Sequence, residues 1–101
     1  MNRLDEAVVQ LARHLDRHVI PYMVFGGYAN LHWGKPRLTE DVDLKIDLPR
    51  KSWPETLSHL QEQFRLLSND PHRFLEETRV IPLVTGGGVR ADLVVVPGRF
   101  A

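Results

Sequence analysis

The 101-residue chain contains no cysteine, and this absence excludes several classes of function. Disulfide frameworks, thiol nucleophiles and cysteine-ligated zinc sites all need that side chain. No charge excess is present either, because 13 basic residues balance 13 acidic ones and the formal net charge is zero. A generic nucleic-acid-binding protein usually carries a basic excess, so the composition argues against that class. A nucleotide site is still allowed, since it needs only local charge.

Long apolar runs are also missing. Residues 1–18 alternate charged with apolar side chains and lack the continuous apolar stretch of a signal peptide. No run approaches the roughly 20 apolar residues that a membrane-spanning helix needs. Hydrophobic residues make up 43% of the chain, enough for a core, and the length allows one domain but not two. We therefore expect a soluble cytoplasmic protein with a single domain, residues 1–101.

Two main helices are predicted from the spacing of apolar residues. Leu4–His18 repeats them at helical intervals with charges between, and Pro21 marks the break. A second helix should begin after Ser52 as N-cap and run to about Phe64, with Glu55 completing a capping box. Two shorter segments are less clear: Tyr28–Trp33 favours a short helix, and Arg73–Glu77 is ambiguous between a helical piece and a loop.

Four β-prone segments predict strands, namely Tyr22–Phe25, Asp41–Ile46, Arg79–Val84 and Val89–Val96. Gly86–Gly88 should form the hairpin turn between the last two, since the Lys-Ser/Thr of a phosphate-binding P-loop does not follow it. Pro82 cannot donate a ladder hydrogen bond, so its strand is expected at an edge or with a bulge. The predicted fold class is α/β (α+β), a short mixed sheet of about four strands backed by two main helices.

The segment Phe25–Ile46 carries the clearest functional signal. Gly26 and Gly27 end an apolar run, and a glycine pair there lets the backbone approach a phosphate closely. Asp41 and Asp43 open the next apolar run, and residues at i and i+2 of a strand point to the same side, as a divalent cation requires. Together the two features predict a nucleoside-triphosphate site with a metal ion.

A third carboxylate, Asp92, stands in the nearly apolar last strand. If that strand lies beside Asp41–Ile46, Asp92 completes a three-carboxylate cluster. Two like charges about 4 Å apart repel by roughly 4 kcal/mol at an effective dielectric of 20, so such a trio calls for a cation, and Mg²⁺ suits oxygen ligands. The alternative is that Asp92 lies on a solvated face or forms an ion pair with Arg90.

This combination resembles the nucleotidyltransferase superfamily of the DNA polymerase β type, and within it the small bacterial proteins of the abortive-infection toxin type. Their pattern is Gly-Gly, an Ala two residues on, a Gly, and then Arg-x-Thr-x-Asp-x-Asp. The matching residues are Gly26, Gly27, Ala29, Gly34, Arg37, Thr39, Asp41 and Asp43. Aminoglycoside- and lincosamide-modifying nucleotidyltransferases carry a similar arrangement. The resemblance covers Met23–Ile46 strongly and Arg90–Val95 weakly.

The resemblance implies metal-dependent transfer of a nucleoside monophosphate from an NTP, such as ATP, to an acceptor hydroxyl, with release of pyrophosphate. Asp41 and Asp43 would bind two Mg²⁺ ions, or Mn²⁺ in their place, while Asp92 would ligate the catalytic ion and help to deprotonate the acceptor. The nucleotide-binding residues implied are Gly26, Gly27, Lys35, Arg37 and Thr39. The glycines would hold phosphates through backbone N–H groups, and the side chains of Lys35 and Arg37 would neutralise triphosphate charge. Thr39 would orient the loop or a phosphate.

Alternatives stay open at this point. The family usually continues past the third carboxylate strand into helices. The chain is therefore expected to be a fragment or minimal form that lacks this part, or to have its site completed by another chain. That other chain would be a second copy in a homodimer or the partner in a toxin–antitoxin pair. The acceptor could be a protein, a tRNA or a small molecule. A catalytically silent binding or regulatory module is the second hypothesis, and a purely structural carboxylate cluster is the third.

His14 and His18 have i, i+4 spacing, but no metalloprotease-like motif accompanies them and we expect a solvated helix surface.

Overall fold

The computed structural model describes residues 2–25 and 41–96. Within these ranges the helices are α1 (Arg3–Arg17), α2 (Trp53–Gln63) and α3 (Pro71–Thr78), with a short 3-10 turn at Arg50–Ser52. The strands are β1 (Tyr22–Phe25), β2 (Asp41–Asp47), β3 (Arg65–Leu66), β4 (Val80–Val84) and β5 (Arg90–Val96). The predicted α/β class is confirmed, with a fifth strand of two residues and with the ambiguous segment forming α3. The helix predicted at Tyr28–Trp33 lies outside the described residues.

The five strands form one mixed sheet in the order β1-β2-β5-β4-β3. β2 and β5 run parallel, and the other neighbouring pairs are antiparallel. The parallel pair joins strands far apart in sequence, whereas β4 and β5 form the predicted hairpin. Their turn closes with the N–H of Thr85 donating to the carbonyl of Val89 at 2.9 Å, and Gly88 adopts a φ of +82° that suits glycine. The two strands that carry the predicted carboxylates are therefore direct neighbours.

The core lies on one face of this sheet. In β2 the side chains of Val42, Leu44 and Ile46 are fully buried, while the alternate residues are exposed or half-buried. Helix α1 contributes Leu11 and Leu15, both fully buried, to the same core. Full burial of each such side chain stabilises the fold by about 1.5–3 kcal/mol. This packing directs the intervening charged residues of β2 to the opposite face, as the alternation predicted.

The C-terminus of α1 ends in a Schellman motif. The N–H of Ile20 donates to the carbonyl of Leu15 at 2.8 Å, and the N–H of Val19 donates to that of Asp16 at 3.1 Å. Val19 takes the left-handed position of this motif with φ at 58°, where glycine is usual, and its side chain is 86% exposed. A β-branched residue is strained there, and its side chain gains little burial in return.

Two local predictions were wrong in detail. Ser52 occupies the N-cap position of α2, as predicted, but its side chain makes no capping hydrogen bond: it already has helical dihedrals (φ −92°, ψ −4°) because the 3-10 turn leads directly into the helix. β4 is not an edge strand, since β3 pairs with it. Pro82 is tolerated because its carbonyl, which accepts from Leu67 at 2.9 Å, faces the side where the two-residue β3 has just ended. The missing N–H of Pro82 faces that same side, so the ladder between β4 and β5 loses no donor.

The expected solvated surface at His14 and His18 is also wrong for His14, which is only 2% exposed. Its Nδ1 donates to Oε1 of Gln63 at 2.8 Å, and its ring lies 4.6 Å from that of His18, centroid to centroid. His18 in turn stacks on His59 of α2 at 4.3 Å. The three imidazoles therefore form part of the contact between α1 and α2. None of the helices in the described part of the chain has the length and apolarity needed to cross a bilayer.

Candidate active site

The register of the parallel pair determines which charged residues face each other. Asp43 of β2 lies directly opposite Asp92 of β5, and Asp41 lies opposite Arg90. Neighbouring strands are about 4.8 Å apart, so residues in this register are adjacent. Asp43 and Asp92 are half-buried and alternate with the buried core residues on both strands, so they share the face away from the helices. The strand adjacency on which the predicted carboxylate cluster depends is therefore present.

The electrostatics of Asp43 reflect these neighbours. Burial raises the pKa of its carboxyl above the ordinary value, and the charges of Asp92 and Asp41 raise it further. Arg90 acts in the opposite direction and lowers the pKa of Asp43. Each of the first three effects disfavours the ionised form, by desolvation or by like-charge repulsion. A cation placed among these carboxylates would reverse that preference.

Arg90 is the ionic partner that the alternative interpretation of Asp92 anticipated. Its Nη2 lies 3.4 Å from Oδ1 of Asp92, with the arginine side chain 53% exposed and the aspartate side chain 25% exposed. The contact is a single, fairly long N···O approach rather than a bidentate fork. The ion pair and the facing carboxylates therefore coexist in the same site.

Two further residues border the site, and the sequence interpretation gave neither of them a role. Phe25 ends β1 and lies opposite Asp43 in the antiparallel pair, and Nζ of Lys45 sits 5.0 Å from the centroid of the Phe25 ring. The signal for Lys45 was the alternation of β2, which puts it on the same face as Asp43. No comparable signal existed for Phe25, because its position depends on the pairing of β1 with β2.

The acidic residues of β2 and β5 have the donor atoms of a metal site but not its full geometry. Among residues 2–25 and 41–96, no three or more His, Asp or Glu side chains are already arranged to hold one. The donor chemistry nevertheless fits a hard divalent cation, because carboxylate oxygens are the ligands that Mg²⁺ takes and because Asp43 and Asp92 face each other across β2 and β5. Asp41, Asp43 and Asp92 are the side chains that would hold it.

The other half of the predicted site is not placed by the structure. The residues predicted to bind the nucleotide all lie outside the described ranges: Gly26, Gly27, Lys35, Arg37 and Thr39. Their roles stay predictions from the sequence pattern. The structure thus brings together the acidic residues of β2 and β5 and leaves the phosphate-binding segment untested.

Two solved structures with a similar fold are an adenylyltransferase and a nucleotidyltransferase-like protein. The lincomycin-bound crystal structure of the lincosamide antibiotic adenylyltransferase LnuA matches with a TM-score of 0.63 at 12% identity, over 91% of this chain and 55% of that one. The crystal structure of an antigenic nucleotidyltransferase-like protein from Paracoccidioides brasiliensis matches with a TM-score of 0.57 at 30% identity, over 93% of this chain and 46% of that one. The domain therefore has a nucleotidyltransferase fold, and it spans about half the length of the structures it matches.

The sequence assigns the family. The model of the AbiEii nucleotidyl transferase toxin family, a Type IV toxin–antitoxin system, matches residues 11–99. The chain belongs to this family, which confirms the resemblance that the glycine pair and the Asp-x-Asp pair indicated. No curated protein sequence gives a significant match.

Proposed function

We propose that this chain is a metal-dependent nucleotidyltransferase that moves a nucleoside monophosphate from an NTP to an acceptor hydroxyl and releases pyrophosphate. The observation that carries the proposal is the direct pairing of Asp43 with Asp92 across parallel strands, in a member of a nucleotidyl transferase family. Two carboxylates on a half-exposed face, one of them with a raised pKa, form a site suited to a cation rather than to packing. The fold supports the same reaction class.

The proposed roles of the site residues follow from their positions. Asp41, Asp43 and Asp92 would hold the divalent ions, which when bound stabilise the attacking and leaving oxygens of an in-line displacement. Asp92 would also help to deprotonate the acceptor hydroxyl; in support, it lies on the central strand and its side chain is 25% exposed. In the predicted phosphate-binding segment, the Gly26–Gly27 pair and the basic side chains of Lys35 and Arg37 would hold the triphosphate in line with that hydroxyl.

Calorimetric titration of each of the four NTPs with Mg²⁺ tests this proposal. We expect the wild type to bind at least one NTP only when Mg²⁺ is present, and Asp41→Asn to lose that binding. Asp47→Asn is the matched control, since Asp47 lies at the other end of β2, opposite Val96 rather than a charged residue. Mg²⁺-independent binding, or equal loss in the control, would contradict the assigned site.

A second candidate follows from the family match. The matched family is a toxin of a Type IV toxin–antitoxin system, so its members are associated with an antitoxin. The second candidate is therefore a nucleotidyltransferase-like module that works with a partner, for instance in a toxin–antitoxin pair. Pyrophosphate release that requires Asp43 would favour the enzyme, whereas nucleotide binding without any release would favour the module. Light scattering at micromolar concentration would show whether the partner is a second copy.

A further inference from the structure

Arg90 is positioned to interact with each of the three carboxylates. It lies opposite Asp41 in the register of β2 and β5, its guanidinium approaches Asp92 at 3.4 Å, and its charge acts on Asp43. The sequence interpretation treated the Arg90–Asp92 pair as an alternative to a metal site. In the structure the pair is part of the carboxylate cluster itself, so the two interpretations can describe two states of one site.

We propose that Arg90 is a built-in counter-ion that neutralises part of the cluster while no divalent cation is bound, and that its guanidinium leaves Asp92 when the cation enters. This inference rests on the proposed function, because it assumes that the carboxylates take up a metal ion. Arg90 is a positioning residue here and not a metal ligand, since guanidinium has donors and no acceptor.

The geometry suits a reversible partner. Arg90 is 53% exposed, so its side chain can move into solvent without creating a buried, unpaired charge. The ion pair consists of one N···O contact at 3.4 Å, and exposed pairs of this kind contribute little to stability. A divalent ion brings two positive charges and takes up several carboxylate oxygens at once, so it replaces the guanidinium at small cost.

The Arg90–Asp92 ion pair affects the divalent-cation concentration that is needed to fill the site. The Arg90 guanidinium contacts Asp92 and lies opposite Asp41, so it competes with a divalent cation for the same carboxylates. Arg90 therefore raises the divalent-cation concentration at which the site fills.

Mn²⁺ binding to the complete chain, measured by calorimetry without nucleotide, tests the inference. We expect Arg90→Gln to bind Mn²⁺ about two- to fivefold more tightly than wild type, the range that release of one exposed ion pair provides. Lys45→Gln is the matched control, because Lys45 is a cation on the same face whose Nζ sits over the Phe25 ring instead of on a carboxylate. The control should change the affinity by less than about twofold.

A second readout needs no metal. In metal-free protein Arg90→Gln should lower the melting temperature, and the same substitution should have a smaller effect in an Asp92→Asn background, where the charges of Asp41 and Asp43 remain. If the Arg90→Gln effect were equal in both backgrounds, the counter-ion role would be refuted.

The outcomes separate this inference from the proposed function. Mn²⁺ binding to wild type with unchanged or weaker binding to Arg90→Gln would overturn the inference and leave the metal site standing. Binding to Arg90→Gln alone would support the inference, with the ion pair keeping the wild-type site closed. Absence of Mn²⁺ binding from both proteins would overturn the inference and the metal dependence together.

Discussion

Replacing Asp43 by asparagine should stabilise the metal-free protein. The substitution keeps the shape of the side chain and removes one of two charges that face each other across β2 and β5. Coulomb's law gives roughly 3.5 kcal/mol for unit charges about 4.8 Å apart at an effective dielectric of 20. Partial solvent exposure and the opposing charge of Arg90 reduce this value, so we expect a net gain of about 1 kcal/mol in the free energy of unfolding. For a domain of this size that gain corresponds to about 4–8 °C in melting temperature.

The pH dependence of this gain follows from the raised pKa of Asp43. The folded state binds the proton of this carboxyl more tightly than the unfolded state does. Its contribution to stability is therefore fully present below the ordinary pKa of 3.8 and is lost as pH rises through the raised value. Wild type and Asp43→Asn should melt at similar temperatures near pH 4 and diverge towards pH 7, with the variant melting higher.

Thermal melts in a metal-free buffer, with and without added Mg²⁺, provide the assay. Mg²⁺ should raise the melting temperature of wild type by mass action and leave that of Asp43→Asn nearly unchanged. Asp47→Asn removes one negative charge from the same strand and should show neither effect. The reasoning is refuted if Asp43→Asn melts at or below the wild-type temperature at pH 7, or if the control rises equally.

Two further predictions concern the end of α1. Val19→Gly should increase the free energy of unfolding by about 1 kcal/mol in urea titrations, because relief of left-handed strain outweighs the backbone entropy of glycine, and a loss of stability would contradict the strain. His14 has a pKa lowered by burial and by neighbouring positive charges, an effect that its hydrogen bond to Gln63 opposes. Its contribution to stability is complete above pH 6.5 and declines as pH falls below that value, so melting temperatures should drop from pH 7 to pH 5.5. His14→Gln should flatten this slope, and an unchanged slope would rule out His14 as its source.

The elements that the sequence predicted well are those in which periodicity and burial agree. The alternation in β2 separates Val42, Leu44 and Ile46 from the charged residues, and all three apolar side chains are buried in the core. The apolar stripe of α1 locates its helix to within a residue at each end. In these segments one local pattern decides both the secondary structure and the buried face.

Features that depend on tertiary neighbours were harder to predict. His14 lies on α1 with polar spacing, yet it is buried because α2 supplies Gln63 beside it and His59 beside its neighbour His18. β3 has two residues, too few for any periodic signal, and it exists because β4 offers a free edge. The ambiguous segment before β4 is a different case, because a local signal starts α3: the Asp70 side chain accepts the N–H of Arg73 at 3.2 Å, and Pro71 follows in the first turn. The burial of His14 and the pairing of β3 are set by tertiary partners that the local sequence does not reveal.

The register of β2 against β5 gives an independent reason to assign function to the carboxylates. Both strands alternate, so the burial pattern decides which residues face the core but permits shifts of two residues along the strand. A shift of two would place Asp43 opposite Arg90 and Lys45 opposite Asp92, so that every facing charge would meet its opposite. The structure instead has Asp43 opposite Asp92, an arrangement in which like charges destabilise the pair. Local electrostatics alone would not select this register, and departures of that kind are expected where a site must keep a negative charge available for a ligand. A divalent cation is the ligand that would convert this unfavourable pairing into a favourable one.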